Sequence, residues 1–275
     1  MEKEGEKNPD RSGSELAAVD VFGIDLGNGV NLEMVRIPAG MFVMGSPVKE
    51  KFGFAIGRPV REMGALIIES PQTKVKIDGF WLGKYEITQS QYMAIMGTNP
   101  SFFTGDNNPV DSVSWLDALE FCRRLSEKTG ESFTLPTEAQ WEYACRAGTK
   151  TPYSRPSLEK CGWFKGNSGE TTHPVGQKEP NAWGLFDMHG NLWEWCLTLF
   201  KVYPYSETDG RNGFSDKENL RIVRGGCYSE GAGYCRSAAR YASNPQKGFD
   251  DSGFRVACSM INSNAIKRSD EKLLF

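Results

Sequence analysis

The C-terminal part of the chain places an irregular segment between two segments that have the period of a strand. Residues 220–226 and 253–258 alternate apolar with polar or charged side chains, which predicts two half-buried strands. The sequence between them is rich in Tyr, Ser, Gly, Asn and Asp and has no apolar stripe of helical spacing. Rigid aromatic side chains on a permissive backbone suit a contact surface, and ordinary surface loops use the same small polar residues. The rest of the fold must hold this long segment in place.

Composition and charge exclude several classes of protein. The 275 residues carry a formal net charge of -3 with a pI near 5.6, whereas a nucleic-acid-binding protein usually has a basic face. No apolar run reaches the roughly 18 residues of a membrane-spanning helix, and the charged residues 1–7 do not resemble a secretory signal. The seven cysteines include no Cys-x-x-Cys pair and there are two histidines, which argues against a zinc site. We expect most of the thiols to be buried.

One domain is predicted between two charged ends. Residues 1–24 are small and charged and predict a flexible leader or a tether to a surface, and residues 263–275 predict a charged tail. Between them, residues 25–262 combine short strands, few helices and long Gly-rich loops without an internal repeat. That combination predicts a single α+β domain.

The predicted elements follow from turn and capping signals. A β-hairpin is predicted at residues 32–37 and 41–45, with further strands at residues 74–77 and 80–82. Three helices are predicted from a Ser or Thr at their start and a glycine at their end. They run from Thr88 to Gly97, from Ser114 to Gly130 and from Thr137 to Gly148. The aromatic and Met side chains on these helices are expected in the core rather than at a cofactor.

Residues 181–195 are too dense in Trp and Gly for a simple helix or strand, which predicts a rigid core built largely from loops. Within this run, Asp187, Asn191 and Glu194 gather oxygen donors around a glycine turn. Calcium prefers such ligands, and a turn rich in Asx residues also forms without an ion, so both interpretations stay open. No other cofactor is predicted. His189 is expected to be a hydrogen-bonded core histidine rather than a catalyst.

Seven blocks, taken in order along the chain, resemble the motif series of the formylglycine-generating enzyme, or sulfatase-modifying factor, family. They include Arg224-Gly225-Gly226 and Gly253-Phe254-Arg255, and they occupy residues 34–45, 85–92, 109–115, 135–144, 181–195, 223–226 and 253–256. The resemblance implies an elaborated C-type-lectin-like fold with short antiparallel strands, few helices and long loops. Enzymes of the family also bind calcium. Function is a separate question, because one fold hosts many activities.

In the enzymes of this family, two cysteines shortly after the Gly-Gly pair bind copper(I) and oxidise a sulfatase cysteine. Thiolates are ligands that copper(I) prefers. Counting from Gly226, the first catalytic cysteine falls on Glu230 and the second on Cys235. The catalytic pair is therefore incomplete, and we expect a protein that is not an enzyme. Pairing of Cys227 with Cys235 across a loop stays open, and with it the alternative of a copper-dependent formylglycine-generating oxidase.

A second resemblance is to the hypervariable ligand-binding proteins written by diversity-generating retroelements, which have a lectin-type fold. That system randomises adenines of a template, chiefly in AAC-type codons, and these codons never yield Glu, Gln, Lys, Met or Trp. Twelve residues of the irregular segment belong to the permitted set, and we predict that they form the ligand-binding face. They are Tyr228, Ser229, Gly231, Gly233, Tyr234, Ala239, Tyr241, Ala242, Ser243, Phe249, Asp250 and Asp251. Glu230, Gln246 and Lys247 fall outside that set.

Recognition rather than chemistry follows from this resemblance. Tyr228, Tyr234, Tyr241 and Phe249 are predicted to be aromatic anchors, because such residues dominate binding hot spots. Buried, hydrogen-bonded arginines are predicted to hold the backbone: Arg224, Arg236, Arg240 and Arg255. The expected partner is a protein or other surface ligand at the cell surface, with no nucleic acid, and with a membrane only through an N-terminal lipid anchor. A partner-binding domain with a fixed surface is the third alternative.

Overall fold

Short strands dominate the fold. The computed structural model describes residues 19–47, residue 50 and residues 68–259. The strands are β1 (Val21–Gly27), β2 (Val30–Ile37), β3 (Gly40–Met44), β4 (Thr73–Ile77), β5 (Phe80–Gly83), β6 (Phe133–Thr134), β7 (Trp193–Leu199), β8 (Arg221–Arg224), β9 (Arg240–Ser243), β10 (Ser252–Gly253) and β11 (Ala257–Cys258). The helices are α1 (Gln89–Met96), α2 (Trp115–Thr129), α3 (Glu138–Arg146) and α4 (Leu158–Cys161), and Ala232–Tyr234 forms a 3-10 helix.

The strands form three sheets. One has the order β1-β2-β5-β11-β6, a second has the order β10-β7-β8-β9, and β3 pairs with β4 in a third. All pairs are antiparallel except β10 with β7, which run parallel. No helix of the described residues is long and apolar enough to cross a membrane. The irregular C-terminal segment therefore leaves the second sheet at β8, returns as β9 and ends beside β7.

Strand pairing differs from the sequence prediction at two places. The hairpin predicted at residues 32–37 and 41–45 is wrong, because β2 lies between β1 and β5 while β3 pairs with β4. Side-chain alternation locates a strand but does not choose its partner. Strand β1 also begins at Val21, so the predicted leader at residues 1–24 ends too late. The rest of that leader, residues 1–18, and the tail predicted at residues 263–275 lie outside the described residues.

The predicted helices are confirmed, together with their capping. Thr88, Ser114 and Thr137 each accept a hydrogen bond from the backbone of the third helical residue, whose side chain accepts one in return. Helices α1 and α2 end at left-handed glycines as predicted. Helix α3 ends differently, since Ala147 is its left-handed cap with φ +42° and Gly148 follows at φ +86°.

The core is built around tryptophans whose indoles donate to buried acceptors. Trp115 Nε1 lies 3.0 Å from the carbonyl oxygen of Cys196, and Trp195 Nε1 lies 3.0 Å from that of Val113. A buried indole needs such a partner, and loop carbonyls supply it. The prediction of a loop-rich core holds for residues 181–192, which form turns and bends, whereas residues 193–195 begin strand β7. All seven cysteines are buried, as the sequence predicted for most of them.

The two strands predicted around the irregular segment are only partly correct. Strand β8 forms as predicted, but all of its residues are buried rather than half-buried. The predicted strand at residues 253–258 is divided, because β10 pairs with β7 whereas β11 pairs with β5 and β6. Strand β9 was not predicted and lies inside the irregular segment.

Candidate functional site

Buried ion pairs from α3 fix the start of the irregular segment. Glu138 accepts two hydrogen bonds from Arg240, at 2.6 and 2.9 Å. One turn later, Glu142 accepts from Arg224 at 2.8 Å and from Arg146 at 2.9 Å. The guanidinium and carboxylate groups of Arg224, Arg240, Glu138 and Glu142 are removed from solvent. Removing one partner of such a pair leaves a buried, uncompensated charge, so α3 determines where β8 and β9 run.

Two further arginines anchor the middle and the end of the segment. Arg236 donates to Glu69 at 2.7 Å and to Glu50 at 2.9 Å. Arg255 donates twice to Glu194 at 2.6 Å. Arg236 and Arg255 are buried, as are Arg224 and Arg240. The prediction that these four arginines are hydrogen-bonded framework residues is confirmed.

Two glycines with left-handed backbone conformations follow β8. Gly225 and Gly226 have φ values of +99° and +75°, which other residues rarely adopt. A Cβ atom on Gly226 would lie 2.7 Å from Cys235 Sγ, too close for any side chain. Both the backbone conformation and the packing therefore require glycine at position 226.

The structure exposes most of the residues predicted to bind a ligand, and it buries three. Exposed or half-buried are Ser229, Gly231, Tyr234, Tyr241, Ala242, Ser243, Phe249, Asp250 and Asp251. Tyr228, Gly233 and Ala239 are buried, so their predicted place on the exposed face is wrong. The Tyr228 ring packs 5.1 Å from the ring of Phe103, and the Ala239 carbonyl accepts a hydrogen bond from Arg224 at 3.0 Å. Residue type alone does not separate a core tyrosine from an exposed one.

Trp193 connects the separate parts of the exposed face. Its ring lies 6.3 Å from that of Tyr234 and 6.0 Å from that of Tyr241, while its backbone N–H donates to the Asp251 carbonyl at 2.8 Å. Tyr241 lies on β9 opposite Val223 of β8 and is 51% exposed. Tyr241 thus lies on the edge strand of the sheet, with the buried ring of Trp193 beside it. Trp193 gives the exposed ring of Tyr241 a rigid support.

Sequence reasoning missed a loop that adjoins this face. Phe102 is 69% exposed, and its ring lies 5.0 Å from that of Phe103, which in turn contacts Tyr228. Ser112 N donates to the Phe249 carbonyl at 2.9 Å, which joins the two loops. Two adjacent phenylalanines in a loop of Asn, Pro, Gly and Ser were the available signal, because such loops rarely need exposed apolar residues.

The two thiols of the segment are buried and unpaired. Cys227 Sγ lies 3.2 Å from the Ser229 hydroxyl, and both Cys227 and Cys235 are free. Burial raises the pKa of Cys227 to about 12 and raises that of Cys235 well above its usual value. Reactive or metal-binding cysteines need the thiolate form. Both groups therefore remain thiols near neutral pH in this arrangement. Glu230 stands at the position expected for the first catalytic cysteine of the family.

One interpretation of the sequence assigned three side chains as oxygen ligands of calcium. In the structure, most of these oxygens accept hydrogen bonds from N–H groups. Both Glu194 oxygens accept from Arg255. Asn191 donates to Glu86 at 2.8 Å and accepts from the backbone of His173 at 3.0 Å. Asp187 Oδ1 is the remaining buried acceptor without a partner among these three side chains. No group of three His, Cys, Asp or Glu side chains that could hold a metal ion is found within the described residues, and calcium binding by this turn stays a prediction.

Asp187 and Glu194, together with Glu86, form a buried acidic cluster beside Arg255. Burial and the neighbouring Asp187 and Glu194 raise the pKa of Glu86 well above its usual value. Burial raises the pKa of Asp187 to about 6. His189 is a satisfied core residue, as predicted: Nδ1 lies 2.8 Å from the Cys235 carbonyl and Nε2 accepts from Ser154 N at 3.0 Å. Burial lowers its pKa to about 4.

Comparison with known proteins places this geometry in a family. Residues 28–260 match the model of the sulfatase-modifying factor enzyme 1-like domain. The chain belongs to this family. A chaperone protein named LppX from Paenibacillus barcinonensis is 32% identical over 55% of this chain and 70% of its own length. The mouse formylglycine-generating enzyme is 26% identical over 83% of this chain and 76% of its own length.

Solved structures agree with the family's α+β, C-type-lectin-like fold. Treponema denticola variable protein 1 superposes with a TM-score of 0.74 at 26% identity, covering 87% of this chain and 99% of its own. PvdO from Pseudomonas aeruginosa gives a TM-score of 0.72 at 29% identity, over 86% of this chain and 98% of its own. The sulfatase-modifying factor family thus includes proteins named as enzymes beside a protein named for its variability.

Proposed function

We propose that this chain is a non-catalytic ligand-binding member of the sulfatase-modifying factor family, with its binding face in residues 227–251. One observation carries the proposal. The side chains of Tyr241, Phe249 and Asp250 are exposed, whereas the thiols of Cys227 and Cys235 are buried and held in the neutral form. A recognition surface needs accessible aromatic and polar groups, and an oxidase needs accessible thiolates.

The structural likeness to Treponema denticola variable protein 1 supports diversification of this face by a retroelement. The gene is then expected beside a reverse transcriptase and a near-copy of the coding segment for residues 225–255. Sibling genes should differ at the exposed positions, including Tyr241 and Phe249, and should keep the buried ones. An isolated gene whose siblings are identical throughout 228–251 would contradict diversification and favour a fixed partner-binding surface.

The proposal places the protein at the cell surface, with a protein or other surface ligand as partner. Its direct test is binding. Tyr241→Ser and Phe249→Ser should each weaken ligand capture, since both exposed rings lie on the face. Met41→Ser is the matched control, because Met41 is 70% exposed on β3 in a separate sheet. Equal capture by all three variants would contradict the proposed face.

A copper-dependent formylglycine-generating oxidase is the second candidate. Cys235 stands at the second catalytic position, and Cys227 lies close enough to raise the pKa of Cys235. The test is incubation with copper, oxygen and a sulfatase peptide, followed by mass spectrometry of the peptide. Conversion of the peptide cysteine, lost in a Cys235→Ser variant, would establish the oxidase and overturn the non-catalytic assignment.

A further inference from the structure

Two loops meet beside the C-terminal segment, and only one of them belongs to it. Residues 98–112 connect α1 to α2, and residues 244–251 connect β9 to β10. The Ser112 N–H donates to the Phe249 carbonyl, and a Cβ atom on Gly248 would lie 2.2 Å from the Ser112 carbonyl oxygen. Backbone contact this close leaves little freedom between the loops, so they present one continuous surface.

Asp111 holds the first loop in the shape that exposes Phe102. Its carboxylate accepts from the backbone N–H of Phe102 at 2.6 Å, from that of Phe103 at 3.3 Å and from the Ser112 hydroxyl at 2.8 Å. Phe103 then turns inward onto Tyr228, while Phe102 remains 69% exposed. A phenylalanine that is exposed on a backbone fixed by hydrogen bonds loses little entropy on binding, which suits it as an anchor.

The charge around these rings is predominantly negative. The exposed or half-buried charges of the two loops are Asp106, Asp250 and Asp251 against a single cation, Lys247, while Asp111 is buried. Burial raises the pKa of Asp111 and of Asp251, and the nearby like charge of Asp250 adds to both shifts. A negative surface repels nucleic acid and anionic lipid headgroups. Lys and Arg side chains suit both the exposed aromatic rings and the negative charge around them, because they pair with carboxylates and stack on aromatic faces.

We propose that residues 98–112 form a fixed half of the binding face, and that the face takes a basic segment of a partner protein through Phe102, Phe249 and Asp250. This inference rests on the proposed function, because it names the partner of the same face. The C-terminal segment can change its side chains while Phe102 supplies a constant aromatic contact. The partner's Lys or Arg side chains meet the aspartates at the rim.

The test selects peptides against the immobilised full chain from a random linear library displayed on phage. Selected peptides should be enriched in Lys and Arg over the unselected library. Phe102→Ser should weaken their binding roughly tenfold, as removal of an aromatic anchor does. Asp250→Asn should weaken it by about threefold, an effect that shrinks as sodium chloride is added. Fluorescence polarisation with labelled synthetic copies gives the dissociation constants.

Matched controls separate the surface from the fold. Met41→Ser and Asp78→Asn remove an equally exposed apolar side chain and an exposed carboxylate elsewhere, and both should bind as the parent does. Circular dichroism should show every variant folded, since Phe102 and Asp250 are exposed.

Each outcome decides between the two proposals. Peptides that depend on Tyr241 and Phe249 but not on Phe102, or that carry no excess of basic residues, overturn this inference and leave the proposed function standing. Selection of no peptide above the level seen with a Tyr241→Ser, Phe249→Ser double variant overturns both.

Discussion

Replacing Arg255 with Met should destabilise the protein by about 3–5 kcal/mol, the usual cost of removing one partner from a buried ion pair. Arg255 is fully buried and donates to both oxygens of Glu194, to the Gly83 carbonyl at 3.0 Å and to the Phe186 carbonyl at 3.0 Å. Methionine fills much of the volume but supplies none of these donors. Glu194 then shares a buried site with two other carboxyl groups, Glu86 and Asp187, and no arginine.

The stability lost in the Arg255→Met variant should depend on pH, because a buried carboxyl group takes up a proton in the folded variant. Arg255 lowers the pKa of Glu86, so without Arg255 the raised folded-state pKa of Glu86 rises further above its unfolded value near about 4.3. The folded variant then binds a proton that the unfolded chain releases, so its stability falls as pH rises. The gap between parent and variant should therefore be smaller at pH 5 than at pH 8. Urea unfolding followed by tryptophan fluorescence at both pH values measures it.

The double variant Arg255→Met, Glu194→Gln is the control. It removes the orphaned charge, so it should recover part of the loss and most of the added pH dependence. A single-variant loss below about 1 kcal/mol, or a loss equal at both pH values, would refute the claim that this ion pair holds the end of the binding segment.

Three further predictions concern the same framework. Stability should decline as pH rises from about 4 to about 6, because the raised pKa of Asp187 makes folding favour its protonated form. Asp187→Asn should flatten this decline, and urea unfolding across that range checks it. Gly226→Ala should cost roughly 2 kcal/mol or more in thermal unfolding, from its positive φ and the contact with Cys235. Tyr228→Ala should cost about 3 kcal/mol and Tyr241→Ala under about 1 kcal/mol, since only the first ring is buried; equal losses would contradict their placement.

Local signals in the sequence predicted local structure well. The capping residues Thr88, Ser114 and Thr137 act over three or four positions, so the helix starts were correct. Strand positions were also readable, but partners were not. Strand β2 pairs with β5 about as regularly as with β1, and nothing within β2 itself excludes β3 as a partner.

Long-range contacts explain the rest of the differences. Arg224 was predicted to be a buried framework residue, but its partner Glu142 lies 82 positions away on α3 and could not be identified from the sequence. Tyr228 is buried because Phe103, on another loop, packs against it. The sequence therefore predicted which segment carries the candidate face. It did not predict which residues of that segment are buried, or that Phe102 lies beside it, because both depend on contacts between distant parts of the chain.

Alkylation of the native protein tests the central claim most directly, because that claim separates accessible side chains from inaccessible thiols. An Asp250→Cys variant introduces a reporter thiol at an exposed position of the face. Treatment with iodoacetamide at mildly alkaline pH, followed by peptide mass spectrometry, should modify position 250 rapidly and leave Cys227 and Cys235 unmodified until the protein unfolds. Modification of either native thiol as fast as the reporter would contradict the account and restore thiol chemistry as the function of this segment.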